Sequence, residues 1–216
     1  MLRRIALFML LALPAAAAPP VQTGDSCERA ISAAERRVST APGLLRAIGM
    51  VESGRTDKRT GTRRPWPWTV TAEGVGSYYP GKDEAIEAVR ALQARGVNSI
   101  DVGCMQVNLL WHPDAFKSLD DAFDPAINAA YAARFLQALY GKLHGWSEAA
   151  AAYHSLTPSL GAEYGKLVLA VWSGAPVPTV TTPSGDEIVR FPGGATMRLF
   201  RAGGASGEGR VFGVLN

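Results

Sequence analysis

A polar residue followed at once, or within two positions, by proline occurs at Thr40 and Pro42, at Asp124 and Pro125, and at Thr157 and Pro158. Each pair stands ahead of an apolar run with helical spacing. Proline lacks the N–H that a helix interior needs but fits the first turn, so each pair marks where a helix begins. The first leads into Leu44, Leu45, Ile48 and Val51 and stops at Gly54. The second leads into Ile127, Tyr131, Phe135, Leu139 and Leu143, and the third into Leu160, Tyr164, Leu167, Val168 and Val171. Such spacings return to one helix face, which is then the buried one. The same pattern predicts helices over 26–38, through Ala30, Ile31, Ala34 and Val38, and over 83–95, through Ala85, Ile86, Val89 and Leu92 with Gly96 closing it. Ser147 is expected to cap a short helix through Tyr153. The expected fold class is mainly α (α+β).

The β share comes from one region. Residues 55–64 are polar and basic and read as a loop, and Pro67 within Trp66-Pro67-Trp68-Thr69-Val70 excludes a helix there. Residues 99–108 carry Ile100, Val102 and Val107 at mostly alternate positions, which predicts an extended arm paired with 66–70. Residues 57–101 therefore read as a small extended insert in a helical domain spanning 25–172. Past Trp172, prolines, glycines, threonines and serines dominate. Only 187–191, 196–200 and 211–215 could form short strands, so 173–216 is expected to be a loosely structured tail.

At the other end, Arg3 and Arg4, the apolar run from Ile5 to Leu13 and the alanines Ala15 to Ala18 have the order of a signal peptide over 1–18. The run is shorter than the roughly 20 residues needed to span a bilayer. Without the leader, the 22 basic residues become 20 against 19 acidic ones, and the net charge falls from +3 to +1. A near-neutral chain without a basic stripe makes no electrostatic case for nucleic acid. An exported chain with two cysteines, Cys27 and Cys104, is expected to close them into a disulfide in an oxidising compartment, the periplasm. The competing reading makes Cys104 a nucleophile served by His112 or His154. The three histidines, His112, His144 and His154, show no metal-type spacing, and no metal or organic cofactor is expected.

One carboxylate is out of place. Glu52 stands four residues after Ile48 and eight after Leu44, in line with the apolar stripe of its helix. Burial disfavours the ionised form and raises the pKa, as a carboxyl needs if it is to hold a proton near neutral pH and deliver it to a leaving oxygen. The bland alternative is a carboxylate at the helix end that reaches solvent past Gly54.

Three segments around it resemble a known family. Glu52-Ser53-Gly54 at a helix end, then Gly103-Cys104-Met105-Gln106-Val107-Asn108, then Ala151-Ala152-Tyr153-His154, follow the order and approximate spacing of the soluble lytic transglycosylases, which share their fold with goose-type lysozyme. The family patterns are Glu-Ser, Gly-Leu-Met-Gln and Ala-Tyr-Asn, and the resemblance covers 40–172. It implies a lysozyme-like helical fold, with Glu52 catalytic at the floor of a groove for peptidoglycan glycan strands. It makes Gln106, Met105 and, more weakly, Asn108 groove contacts, with Ser53 beside them, and Tyr153 a hydroxyl close to the catalytic carboxyl. Cys104 replaces the family leucine and His154 the asparagine. The 57–101 insert is similar to that of members associated with secretion and flagellar systems, which implies such an assembly as a partner for a monomeric enzyme.

The family works with one carboxylate where glycosidases normally use two. The resemblance therefore implies that Glu52 serves twice, cleaving between N-acetylmuramic acid and N-acetylglucosamine to leave a 1,6-anhydro sugar. A second carboxylate, from Asp101 or Glu73, would make a water-using muramidase instead. A weakly active wall-binding subunit is the third reading. Trp66, Trp68, Tyr78, Tyr79 and Trp111 cluster in and beside the insert, and one or two of them are expected to line the groove while the rest pack.

Overall fold

Alanine, more than the large apolar residues, decides how the longest helix packs. The computed structural model describes residues 23–183, 186–190 and 196–201; the expected leader and the expected strand at 211–215 lie outside them. In chain order the elements are α1 (Thr23–Val38), α2 (Leu44–Glu52), β1 (Gly54–Thr56), β2 (Arg63–Pro65), β3 (Thr69–Ala72), β4 (Val75–Tyr78), α3 (Lys82–Ala94), β5 (Ile100–Val102) and β6 (Val107–Asn108). Then follow α4 (Leu119–Ala122), α5 (Pro125–Leu143), α6 (Trp146–His154), α7 (Pro158–Trp172), β7 (Thr179–Thr181), β8 (Glu187–Arg190) and β9 (Thr196–Arg201). The fold is the α-rich domain with a β insert that the periodicity implied, in keeping with the lysozyme-like fold that the resemblance implies.

Helix α5 starts as expected, with the Asp124 carboxylate accepting from the N–H groups of Ala126 (2.8 Å) and Ile127 (3.0 Å) and Pro125 in the first turn. Its buried face is nevertheless Asn128, Ala129, Ala132, Ala133, Leu136 and Leu139, while Ile127 and Leu143 are exposed. Small side chains let α1 approach α5 closely, so the stripe of large residues is rotated off the core. Tyr131 and Phe135 are left half-buried, packed against the edge of the main core. Leu160 on α7 is likewise exposed, whereas Tyr164, Leu167 and Val168 are buried.

Helix α2 begins at Leu44 rather than near Thr40, with Gly43 at its N-cap in the left-handed region (φ 80°). Its open N–H groups are met from outside: the Glu35 carboxylate of α1 accepts from Leu45 N (2.8 Å) and Arg46 N (3.3 Å). Gly145, not Ser147, is at the N-cap of α6. The main core gathers Cys27, Ile31, Leu44, Leu45, Ile48, Met105, Leu136, Tyr164 and Leu167 from α1, α2, α5, α7 and the loop after β5. Cys27 and Cys104 form the expected disulfide, fully buried, with their Cα atoms 5.7 Å apart.

The insert has its own core, in which α3 lays Ala85, Ile86 and Val89 over Val70, Ile100, Val102 and Phe123. Strands β3 and β5 pair antiparallel with Val70 opposite Val102, as the alternation predicted. In the tail, β8 and β9 form at two of the expected places and β7 joins them. Strands β7, β8 and β9 extend the sheet in the order β6-β5-β3-β4-β9-β8-β7, with β9 parallel to β4. An ion pair anchors this addition: Glu187 on β8 accepts from Arg63 on β2 and from Thr56 N (3.2 Å). A reading based on composition alone sees prolines and glycines in this stretch and misses the pairing capacity of an open sheet edge.

Candidate active site

Glu52 is the last residue of α2, where the helix stops against the buried Ser53. Its Oε1 accepts a 2.6 Å hydrogen bond from the Tyr164 hydroxyl on α7. Burial pushes the Glu52 carboxyl up to about 8; the Tyr164 bond works against that rise, and the nearby charge of Asp101 adds to it. The carboxyl is therefore protonated at neutral pH and held in one orientation, the state of a general acid.

Tyr164 reaches it because α7 lies very close to α6. A Cβ at Gly161 would come within 2.6 Å of the Ser155 carbonyl oxygen, and one at Gly165 within 3.0 Å of the Ala151 Cβ. The His154 imidazole stacks on the Tyr164 ring at 4.7 Å and 13°. The residue that departs from the family asparagine thus packs against the phenol that holds the acid.

The loop between β5 and β6 is tied to Ser53, the residue after Glu52, and is fixed by Asn128. That buried amide donates to the carbonyls of Val102 and Ala122 (both 3.0 Å) and accepts from Met105 N (2.9 Å). Gly103, at φ 83°, passes so near that a Cβ there would lie 2.4 Å from Asn128 Nδ2.

The residues expected to touch sugar divide. Met105 is fully buried, and it is held through its main chain: the N–H donates to Asn128 and the carbonyl accepts from the Tyr153 hydroxyl at 2.8 Å. Ser53 is fully buried and its hydroxyl donates to the Cys104 carbonyl at 2.6 Å, joining the end of α2 to the loop. The Gln106 amide is 8 % exposed; it donates to the carbonyls of Thr69 (3.1 Å) and Gly103 (3.0 Å) and accepts from Thr71 Oγ1 (2.5 Å). The side chains of Ser53 and Gln106 and the main chain of Met105 hold the loop in place. Tyr153 lies near enough to Glu52 and Asp101 for both charges to raise its phenol, but the hydroxyl bonded to Glu52 is that of Tyr164.

Of the two candidates for a second carboxylate, only Asp101 is at the site. Burial pushes it up to about 6, against a lowering hydrogen bond from Asn108 Nδ2 at 2.9 Å. Glu73 is exposed and paired with Arg95 at 3.3 Å. Asn108 is thus a bridge: it holds Asp101 with its amide nitrogen, and its oxygen accepts from Leu110 N (3.0 Å) and Trp111 N (3.1 Å). Most of the insert aromatics pack. Arg55 lies 4.2 Å over the Trp66 ring, Trp66 meets Trp68 edge to face at 5.6 Å, and Tyr78 is buried with its hydroxyl donating to the Gly54 carbonyl. Cys104, sealed in its disulfide, is no nucleophile.

Two site residues escaped the sequence reading. Tyr164 was visible only as part of a buried stripe, though Gly161 and Gly165 on either side announce a close helix contact. Asn128, an amide between alanines near the start of a helix, was the polar residue in an otherwise small apolar face. In comparisons with known proteins, a family model described as transglycosylase SLT domain matches residues 29–160. No curated protein and no solved structure matches the chain.

Proposed function

The chain belongs to the transglycosylase SLT domain family, and from that premise we propose that it is an exported lytic transglycosylase that cleaves peptidoglycan strands without consuming water. Action on peptidoglycan in general follows from the family. The finer reading is carried by one observation: the Glu52 carboxyl is raised to about 8 and bonded by Tyr164. In this reading Glu52 first gives its proton to the oxygen linking N-acetylmuramic acid to N-acetylglucosamine, and the C1–O bond breaks. The substrate's acetamido oxygen stabilises the cationic carbon. The Glu52 carboxylate then removes the proton from the C6 hydroxyl, whose oxygen bonds to C1 and closes the 1,6-anhydro ring. The acid is regenerated, so atoms and charge balance over the cycle. The buried Cys27–Cys104 disulfide supports an oxidising compartment such as the periplasm.

Asp101 favours a second reading, a muramidase in which it positions water, because its charge is felt at Glu52. Mass spectrometry of the soluble products from purified sacculi separates the two. Anhydro-muropeptides are expected; reducing-end products in their place would assign the hydrolase.

The pH dependence offers an independent check. A general acid titrating near 8 keeps kcat/KM level through neutrality and lets it fall as pH rises past about 8. The Tyr164 bond favours the ionised carboxylate, so Tyr164→Phe moves that alkaline limb to higher pH. A limb that stays in place or moves down would remove Tyr164 from the site. A separate acid limb near 6, abolished in Asp101→Asn, is expected only of the hydrolase.

A further inference from the structure

His154 is the last residue of α6, and its imidazole lies nearly parallel to the Tyr164 phenol, with ring centroids 4.7 Å apart and 13° between the planes. That phenol is 2 % exposed, and its hydroxyl makes the 2.6 Å bond to Glu52 Oε1. A phenolic O–H keeps to the plane of its ring, because the oxygen lone pair is conjugated with it. The plane of Tyr164 therefore sets the direction in which its proton points, and a hydrogen bond weakens steeply as that direction swings away from the acceptor. Rotation about χ2 of a tyrosine is otherwise broad. A flat neighbour lying on the ring removes that freedom.

The stack is itself fixed from several sides. Gly161 and Gly165 let α7 press against Ser155 and Ala151, where a Cβ would collide. Thr157 N donates to Ser155 Oγ at 3.0 Å and tightens the turn between the two helices. Tyr153, the preceding residue, anchors the end of α6 on the Met105 carbonyl. His154 keeps part of its surface in water, yet burial of the rest holds its imidazole below the ordinary value, so at neutral pH it is an uncharged aromatic ring. The ionisable groups gathered around the contact are Tyr164 on α7, Glu52 on α2, Tyr153 on α6 and Asp101 on β5.

We propose that His154 is a positioning residue for the acid, its ring face holding the Tyr164 phenol in the plane from which the hydroxyl meets Glu52. This rests on the reading of Glu52 as the acid of a glycan-cleaving enzyme. The asparagine of the family pattern has no aromatic face to offer, so this chain holds its acid by a contact that the pattern does not contain.

The test reads the titration of Glu52 without substrate, by NMR of isotope-labelled glutamate carboxyls assigned with Glu52→Gln. The unsubstituted chain, His154→Ala and His154→Phe are compared, each with and without Tyr164→Phe. The Tyr164 bond favours the ionised carboxylate, so a loosened phenol raises the midpoint. His154→Ala is expected to move it upward from about 8 by roughly half a pH unit, part of what a hydrogen bond to the charged form contributes. His154→Phe restores the flat face and leaves the midpoint in place. In the Tyr164→Phe background, His154→Ala moves nothing. A midpoint that stays, that falls, or that moves alike with and without the Tyr164 hydroxyl overturns the proposal, since the ring would then only shield the carboxyl from water. Product release from sacculi is assayed in parallel, and His154→Ala is expected to lower kcat while KM is unchanged. Absence of release by the unsubstituted chain would count against the transglycosylase reading alone, because the Glu52 titration needs no substrate.

Discussion

Glu52→Gln is expected to lower product release from sacculi by about a thousandfold or more, since proton transfer from a positioned acid is worth on the order of 10² to 10⁴ and Glu52 acts in both steps. The same substitution is expected to raise stability. The Glu52 carboxyl titrates near 8 in the folded protein and at its ordinary 4.5 when exposed. Between those values the unfolded chain releases its proton and the folded chain keeps it, so stability falls as pH rises from 4.5 to about 8 and is level beyond. An amide removes that slope and still accepts from Tyr164. Denaturation at pH 8 should therefore show a gain on the order of 2 kcal/mol or more, shrinking to nothing at pH 4. A substituted protein that is equally active, or that is less stable at both pH values, would show that Glu52 is neither the acid nor a strained group.

Replacing both Cys27 and Cys104 by alanine is expected to cost roughly 4 kcal/mol, because the bridge closes a loop across a sequence separation of 77 residues. The loss should extend beyond stability. Cys104 sits in the loop between β5 and β6, and its carbonyl accepts from the hydroxyl of Ser53, the residue after Glu52. Chemical denaturation of the disulfide and double-alanine proteins measures the first effect, and product release at a temperature where both are folded measures the second. A difference below about 1 kcal/mol would mean that the packing around the pair, and not the covalent bond, holds α1 to the loop.

The buried carboxyl of Glu52 is legible in the sequence because a carboxylate on an apolar helix stripe violates a simple periodic rule, and Asp124 and Pro125 locate α5 because capping is a local event. What could not be read depends on which atoms meet across the fold. Met105, Gln106 and Ser53 fit a motif, yet the motif does not say whether a side chain faces sugar or backbone, and here each is used to shape the loop. The face of α5 was misjudged because large apolar residues were counted and alanines were not, although close helix packing selects the alanines. Tyr164 stands 112 residues from Glu52, beyond any local pattern. Strands β8 and β9 stand at two of the places where the tail could form strands, but local sequence does not say that the partner edge of β9 is β4, far upstream.

That last pairing has a consequence for the order in which the molecule can assemble. Glu187 closes onto Thr56 across 131 residues, and β9 joins β4 only after nearly the whole chain is present. Contacts this distant in sequence are slow to form, since the entropy of a very long closed loop must be lost first. The hairpin that follows Glu52 is therefore braced last. A chain still emerging from synthesis lacks that brace, so the segment beside Glu52 is completed only when β8 and β9 have arrived.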